Sequence, residues 1–171
     1  MLQDSLTLYK LIVLYMLDRV AFPLTAAQVS DFILGKEYTN FLTLQQVFSE
    51  MTDAGLVSSE TLHNRTYLSV TEEGRETLNF FRNRIVRDIR EEIDTYIREN
   101  EYTLRNEFSI LARYDKAVSG EYEARLTAKD RNISLVDLTL SVPDKETAAA
   151  ICDNWQKKNQ QIYQYLVQQL F

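Results

Sequence analysis

The sequence predicts an α+β fold: an N-terminal winged helix-turn-helix, a long connecting helix, and a C-terminal three-stranded antiparallel sheet covered by a helix. Three observations carry this. Gly55 closes a helical stretch, and Leu56 to Gly74 (LVSSETLHNRTYLSVTEEG) then holds two short alternating runs around a polar turn, the pattern of a hairpin. From Glu72 to about Arg98 apolar residues recur every three or four positions, the stripe of an amphipathic helix. Beyond Glu101 the period drops to two, and it returns to helical spacing after Pro143. The expected divisions are a winged-helix domain over 1–75, a linking and dimerisation helix over 72–99, and a β-β-β-α domain over 100–171 serving dimerisation or sensing.

Taken in order, Ser5 to Asp18 reads as a first helix. Leu8, Leu11, Ile12 and Tyr15 fall at helical spacing, and Leu14 and Leu17 widen the arc, so it is buried on more than one side or forms a dimer seam. Phe22-Pro23-Leu24 is an extended link, since Pro23 biases its predecessor away from helix. Thr25 caps a second helix reaching about Leu34, with Val29, Phe32 and Ile33 inward. After a connection over Gly35 to Phe41, Thr43 caps a third helix, Leu44 to Ala54, whose Leu44, Val47, Phe48 and Met51 face the core. In the hairpin His63-Asn64-Arg65 forms the turn, because Asn tolerates positive φ.

Thr71 caps the next helix. Its stripe of Leu78, Phe81, Ile85, Ile89, Ile93 and Tyr96 is longer than one small domain requires, so the helix spans two domains or packs across a dimer. Arg87 with Glu91 and Arg90 with Asp94 lace its solvated face. Three strands follow, over Tyr102 to Tyr114, Tyr122 to Ala128 and Val136 to Val142, joined by turns at Asp115 to Gly120 and Asp130 to Asn132. Ile133 and Leu135 have the opposite parity to the third strand, which signals a bulge or a register change. Asp144 caps the last helix, with Ala148, Ile151, Cys152, Trp155, Ile162, Leu166 and Leu170 inward.

Composition bounds the function. With 171 residues, 45% hydrophobic, two prolines and four glycines, the chain builds one good core or two small ones. The single Cys152 excludes a disulfide within the monomer and a thiolate zinc cluster, and His63 as the one histidine removes the ordinary zinc-enzyme ligand sets. No catalytic residue, metal or cofactor is therefore expected, and Cys152 and Trp155 read as core. Lys10, Asp18 and Arg19 break the greasiest stretch short of a membrane span. Asp4 stands where a signal peptide would be basic, so a cytoplasmic location is expected.

The net charge of −6 is unevenly spread. Residues 1–80 carry five Lys/Arg against ten Asp/Glu, giving −5; residues 81–171 carry fourteen against fifteen, giving −1. Nucleic-acid binders ordinarily show a basic footprint, so the half shaped like a DNA reader is the more acidic half. On its third helix Thr43, Gln45, Gln46 and Ser49 are the candidate base-reading residues, Gln being able to bond adenine bidentately. Glu50 and Asp53 on the same face oppose phosphate. His63, Asn64 and Arg65 are the candidate contacts at the hairpin tip, with Arg65 the strongest single choice.

The stretches AAAICDNWQKKNQQIYQYLVQQL (Ala148 to Leu170) and YLSVTEEG (Tyr67 to Gly74) resemble those of the DUF4364 family, and the resemblance covers nearly the whole chain. The second stretch is also similar to the wing-to-helix junction of PadR-like and MarR-like regulators. The resemblance implies a winged-helix-like fold, a bacterial cytoplasmic setting in Firmicutes, and regulation of transcription. It supplies no catalytic or ligand residues. The leading expectation is a homodimeric regulator that binds double-stranded DNA. The alternative is a winged-helix module that binds a protein partner instead, and an enzyme ranks third for want of any acid/base pair or metal cluster.

Overall fold

Seven consecutive residues, Leu11 to Leu17, are each no more than 3% exposed, and the N-terminal part of the chain is built around them. The computed structural model describes every residue except Met1, His63, Arg131 and Asn132, together with the side chains of all but these and Leu2, Gln3, Leu62, Glu107 and Phe108. The chain divides into two units, Met1–Leu104 and Arg105–Phe171.

In the first unit α1 (Leu2–Asp18) is buried on all sides over Leu11 to Leu17, while Asp4 and Ser5 at its start are exposed. β1 (Leu24–Thr25) follows, and Thr25 caps α2 (Ala26–Gly35) with a full capping box. The Thr25 hydroxyl accepts from the Gln28 amide at 3.0 Å, and Gln28 Oε1 accepts from the Thr25 amide at 2.9 Å. The link at Phe22 to Leu24 is therefore more than an extended connection, because Leu24 pairs with Leu68 and Thr25 with Tyr67. The resulting antiparallel sheet has the order β1-β3-β2, where β2 is Val57–Leu62 and β3 is Arg65–Val70. Leu62 pairs with Arg65, which leaves a two-residue turn. Its Asn64 has φ +61°, a conformation Asn adopts more readily than most residues.

Before the hairpin lies α3 (Phe41–Asp53). Its cap is Asn40, whose side chain accepts from the Thr43 amide at 2.9 Å, so Thr43 sits in the first turn rather than capping it. Leu44, Val47 and Met51 are fully buried and Phe48 nearly so, as the spacing predicts. Each fully buried side chain of this kind contributes about 1.5–3 kcal/mol.

The expected single helix from Glu72 to Arg98 is two helices. α4 (Glu72–Phe81) runs into a 3-10 turn at Arg82–Arg84, Ile85 is extended at φ −82°, ψ 115°, and α5 spans Arg87–Ser109. The break lets both pieces pack on α1. Arg82 lies over the Tyr15 ring at 5.1 Å, and the Tyr15 hydroxyl donates to both oxygens of Asp94 at 3.0 and 3.1 Å. Arg19 reaches the same carboxylate at 2.7 Å. Asp94 is thus taken by α1, and the expected Arg90–Asp94 pair does not form; Arg90 Nε is buried without a hydrogen-bond partner. The Arg87–Glu91 pair is present at 2.6 Å.

α5 also outlasts the predicted change of period. Leu104 is seven residues beyond Ile97 and 3% exposed, which continues one helical face where an alternating reading places a strand. Ile93 and Ile97 are buried with it, and Tyr96 packs on Phe32 at 4.7 Å between ring centroids. Of the stripe expected to span two domains or pack across a dimer, Leu78, Ile85 and Ile93 are buried within the first unit and Phe81, Ile89 and Tyr96 half-buried, while Phe80 and Val86 beside it are exposed.

The second unit holds β4 (Ile110–Lys116), β5 (Tyr122–Asp130) and β6 (Ile133–Val142), antiparallel in that order, and α6 (Lys145–Leu170). Asp144 caps α6 by accepting from the Thr147 amide at 2.7 Å. Between β5 and β6 the register shifts: Ala128 faces Val136 but Lys129 faces Ser134, so Leu135 is the extra residue of the bulge that its parity signals. Trp155 is 1% exposed and its Nε1 donates to the Thr127 carbonyl at 3.1 Å. The inward stripe of α6 weakens toward its end. Ile162 and Leu166 are half-buried, and Leu170, expected inward, is 84% exposed.

Candidate nucleic-acid interface

Two elements carry the predicted site residues, α3 and the hairpin of β2 and β3 that follows it. α3 ends in a Schellman motif: the Leu56 amide donates to Met51 O at 3.0 Å and the Gly55 amide to Thr52 O at 3.1 Å, with Gly55 at φ +73°. That stop sends the chain into β2 within three residues. On the other side Thr71 ties the hairpin to α4. Its hydroxyl donates to Gly55 O at 2.7 Å and accepts from the Gly74 amide at 3.1 Å, while its own amide donates to Leu56 O at 3.1 Å. Gly74 is required there, since a Cβ would stand 2.1 Å from the Leu56 carbonyl oxygen.

Gln45, Gln46 and Ser49 are all exposed on α3, with Thr43 half-buried at its start. Gln46 Nε2 donates to Glu50 Oε1 at 2.8 Å, and Lys10 from α1 meets Glu50 Oε2 at 2.5 Å. The Lys10 ammonium, and then the Gln46 amide, hold the Glu50 carboxyl below the ordinary carboxylate range. Glu50 is thereby neutralised locally, and Asp53 is the remaining acid on this helix. Lys10 is a residue the linear sequence does not link to the site, because forty positions separate it from Glu50.

The face has an apolar end as well. Phe41 is 57% and Leu42 79% exposed in the first turn of α3. Phe41 lies three and seven residues before Leu44 and Phe48, so spacing alone puts it inside; its place at the very start of the helix leaves it uncovered.

At the hairpin, Arg65 and Asn64 are exposed, and Ser58, Ser59, Glu60 and Thr61 present a polar, mostly uncharged β2. His63 lies outside the described residues. The Thr61 and Thr66 hydroxyls are 3.4 Å apart across the strands, which helps hold the ribbon that carries Arg65.

A concavity of 470 Å³ in this unit is lined by Lys36, Asp88, Glu91, Glu92, Thr95, Tyr96 and Glu99. Its carboxylates are partly engaged: Glu91 with Arg87, and Glu92 with Lys36 at 3.4 Å and with the Tyr38 hydroxyl. Tyr38 and then Lys36 hold Glu92 low, while burial and Glu92 push the Tyr38 hydroxyl above its ordinary value. In the second unit burial, and then Asp153, pushes the Cys152 thiol up, away from the thiolate a nucleophile needs. Among the described residues no group of three or more His, Cys, Asp or Glu is placed to hold a metal ion, and no helix is long and apolar enough to cross a membrane.

A family model described as a domain of unknown function, DUF4364, matches residues 9–170. No curated protein and no solved structure matches the chain.

Proposed function

The chain belongs to the DUF4364 family, and from that premise and the winged-helix-like geometry we propose that it is a dimeric, DNA-binding regulator of transcription. One observation carries the reading. The exposed face of α3 offers Gln45, Gln46 and Ser49 beside a Glu50 already compensated by Lys10, and the same helix leads directly into a hairpin with Arg65 at its tip. In this reading α3 enters the major groove and the hairpin follows the backbone or minor groove. Thr43, Gln45, Gln46 and Ser49 face base edges, and Asn64 and Arg65 face the backbone; His63 is a further candidate contact by sequence. The first unit is the reader, and the second serves dimerisation.

Fluorescence anisotropy with the protein's own upstream region and a random duplex of equal length tests this. Arg65→Ala is expected to weaken binding about fivefold to tenfold on both duplexes and to lower the salt slope by about one. Gln45→Ala is expected to relax preference at one base pair by about 1–3 kcal/mol. A folded dimer that binds neither duplex at low salt overturns the proposal.

The exposed Phe41 and Leu42 favour a second reading, a module that docks a protein partner through the start of α3. The −5 balance of residues 1–80 supports it too. Substituting both residues with Ser separates the two: it abolishes capture of a protein partner, whereas contacts centred on Gln45 and Arg65 survive it.

A further inference from the structure

The second unit leaves two apolar surfaces uncovered side by side. One is the end of α6, where Val167 is 46% and Leu170 84% exposed. The other is β6, the edge strand, where Leu135 and Leu140 are each 42% exposed. They border a groove of 400 Å³ between residues 135–138 of β6 and the last turns of α6. α6 lies mainly over β4 and β5, so the sheet face on β6 is covered least.

Charge is absent from this region to an unusual degree. Residues 159–171, NQQIYQYLVQQLF, contain no Asp, Glu, Lys or Arg, in a chain of net charge −6. β6 has a single charged residue, Asp137, and Arg125 of the neighbouring strand already holds it with bonds of 3.0 and 2.8 Å. Long exposed edge strands are ordinarily guarded by charges or proline, and β6 has ten residues with neither a lysine nor a proline.

We infer that a second copy of this chain covers this surface, edge to edge through β6, with the ends of the two α6 helices meeting over the joined sheet. The occupant follows from three features. Two acidic chains of like charge approach most easily through a neutral patch, whereas a charged partner gains nothing there. The strand is self-complementary: antiparallel pairing centred on Leu138 sets Val136 against Leu140 and Asp137 against Thr139, so apolar meets apolar and no carboxylate faces its own copy. A two-fold axis perpendicular to the sheet keeps both helices on one face, which places each uncovered α6 end over the β6 face that its own chain leaves bare.

The area is adequate. Leu135, Leu140, Val167, Leu170 and Phe171, 42–108% exposed, together present on the order of 500 Å² of apolar surface per chain, the size of patch that marks an interaction site. With the backbone edge of β6 added, this approaches the roughly 800 Å² per partner of a specific interface.

This deepens the dimer within the proposed function and moves its seam from the long helix to the second unit. Sedimentation of the full chain without DNA tests it, so its failure is distinct from a failure to bind DNA. The wild-type chain is expected at twice its 20.0 kDa at tens of micromolar. Val167→Lys with Leu170→Lys, both at exposed positions, is expected to yield a 20.0 kDa species with an unchanged circular dichroism spectrum. Thr139→Asp, at an exposed site on the opposite face of β6, sets a carboxylate against Asp137 of the second copy, reports separately on edge pairing and is expected to weaken the dimer at least tenfold. A monomeric wild-type chain overturns the inference, as does a dimer that either variant leaves intact.

Discussion

At the scale of single residues, Glu37 is the clearest conflict between local preference and fold. It sits at φ +57° after α2, where the Glu37 and Tyr38 amides donate to Leu34 O and Ile33 O at 3.0 and 3.1 Å. This is the same helix stop that Gly55 makes after α3, built here on a residue with a Cβ. A left-handed L-residue costs about 1–2 kcal/mol, and the extra freedom of an unfolded glycine offsets part of any gain. Glu37→Gly is therefore expected to raise stability by about 0.5–1 kcal/mol, read as a higher urea midpoint with an unchanged slope. The opposite outcome is expected at Gly74, where the obstacle is the Leu56 carbonyl and no flexible side chain can yield. Gly74→Ala is expected to cost about 3 kcal/mol, and Gly74→Ser no less. An Ala variant that melts with the wild type would show that the α4–hairpin junction is not held as described.

Among the elements, the caps do more than begin helices. Thr71 joins α3's end, the hairpin and α4 through one hydroxyl, and Asn40, Thr25 and Asp144 each fix where a helix starts. The Asp144 cap makes a specific acid prediction. The Thr147 amide it accepts from holds its carboxyl below the ordinary range. A depressed folded value means that its contribution is present above the unfolded value of about 4 and is lost as pH falls through the folded value. Asp144→Asn retains the cap but not the titration. It is expected to match the wild type near pH 7 and to lose less stability below pH ~4, measured by urea denaturation at both pH values. Equal acid losses in the two proteins would contradict this origin. Glu50, Glu92 and Asp137 are shifted the same way by Lys10 and Gln46, by Tyr38 and Lys36, and by Arg125, so they contribute to the same acid limb.

For the molecule as a whole, the sequence by itself determined most of the inward residues and the kind of most elements, but not the helix through Tyr102 to Ser109, the strand at Leu24, the break after Phe81 or the exposure of Leu170. Leu44, Val47, Phe48 and Met51 follow one helical face, the β5–β6 bulge is visible in the parity of Leu135, and Asp144 and Thr71 announce their helices. These are local signals, set by side-chain period and by hydrogen bonds across three residues. Tertiary structure alone decided the rest, because the partners lie far apart in the chain. It broke the stretch from Glu72 so that Arg82 and Asp94 could both meet Tyr15, and it carried α5 through Leu104. It paired Leu24 with Leu68, and it placed Lys10 on Glu50, which compensates one of the two carboxylates on α3. It also buried Leu78, Ile85 and Ile93 of the long stripe within the first unit while leaving Leu135 and Leu140 of β6 and the end of α6 exposed. Periodicity reports that a face is apolar. Only the packed chain decides whether its own residues are enough to cover it.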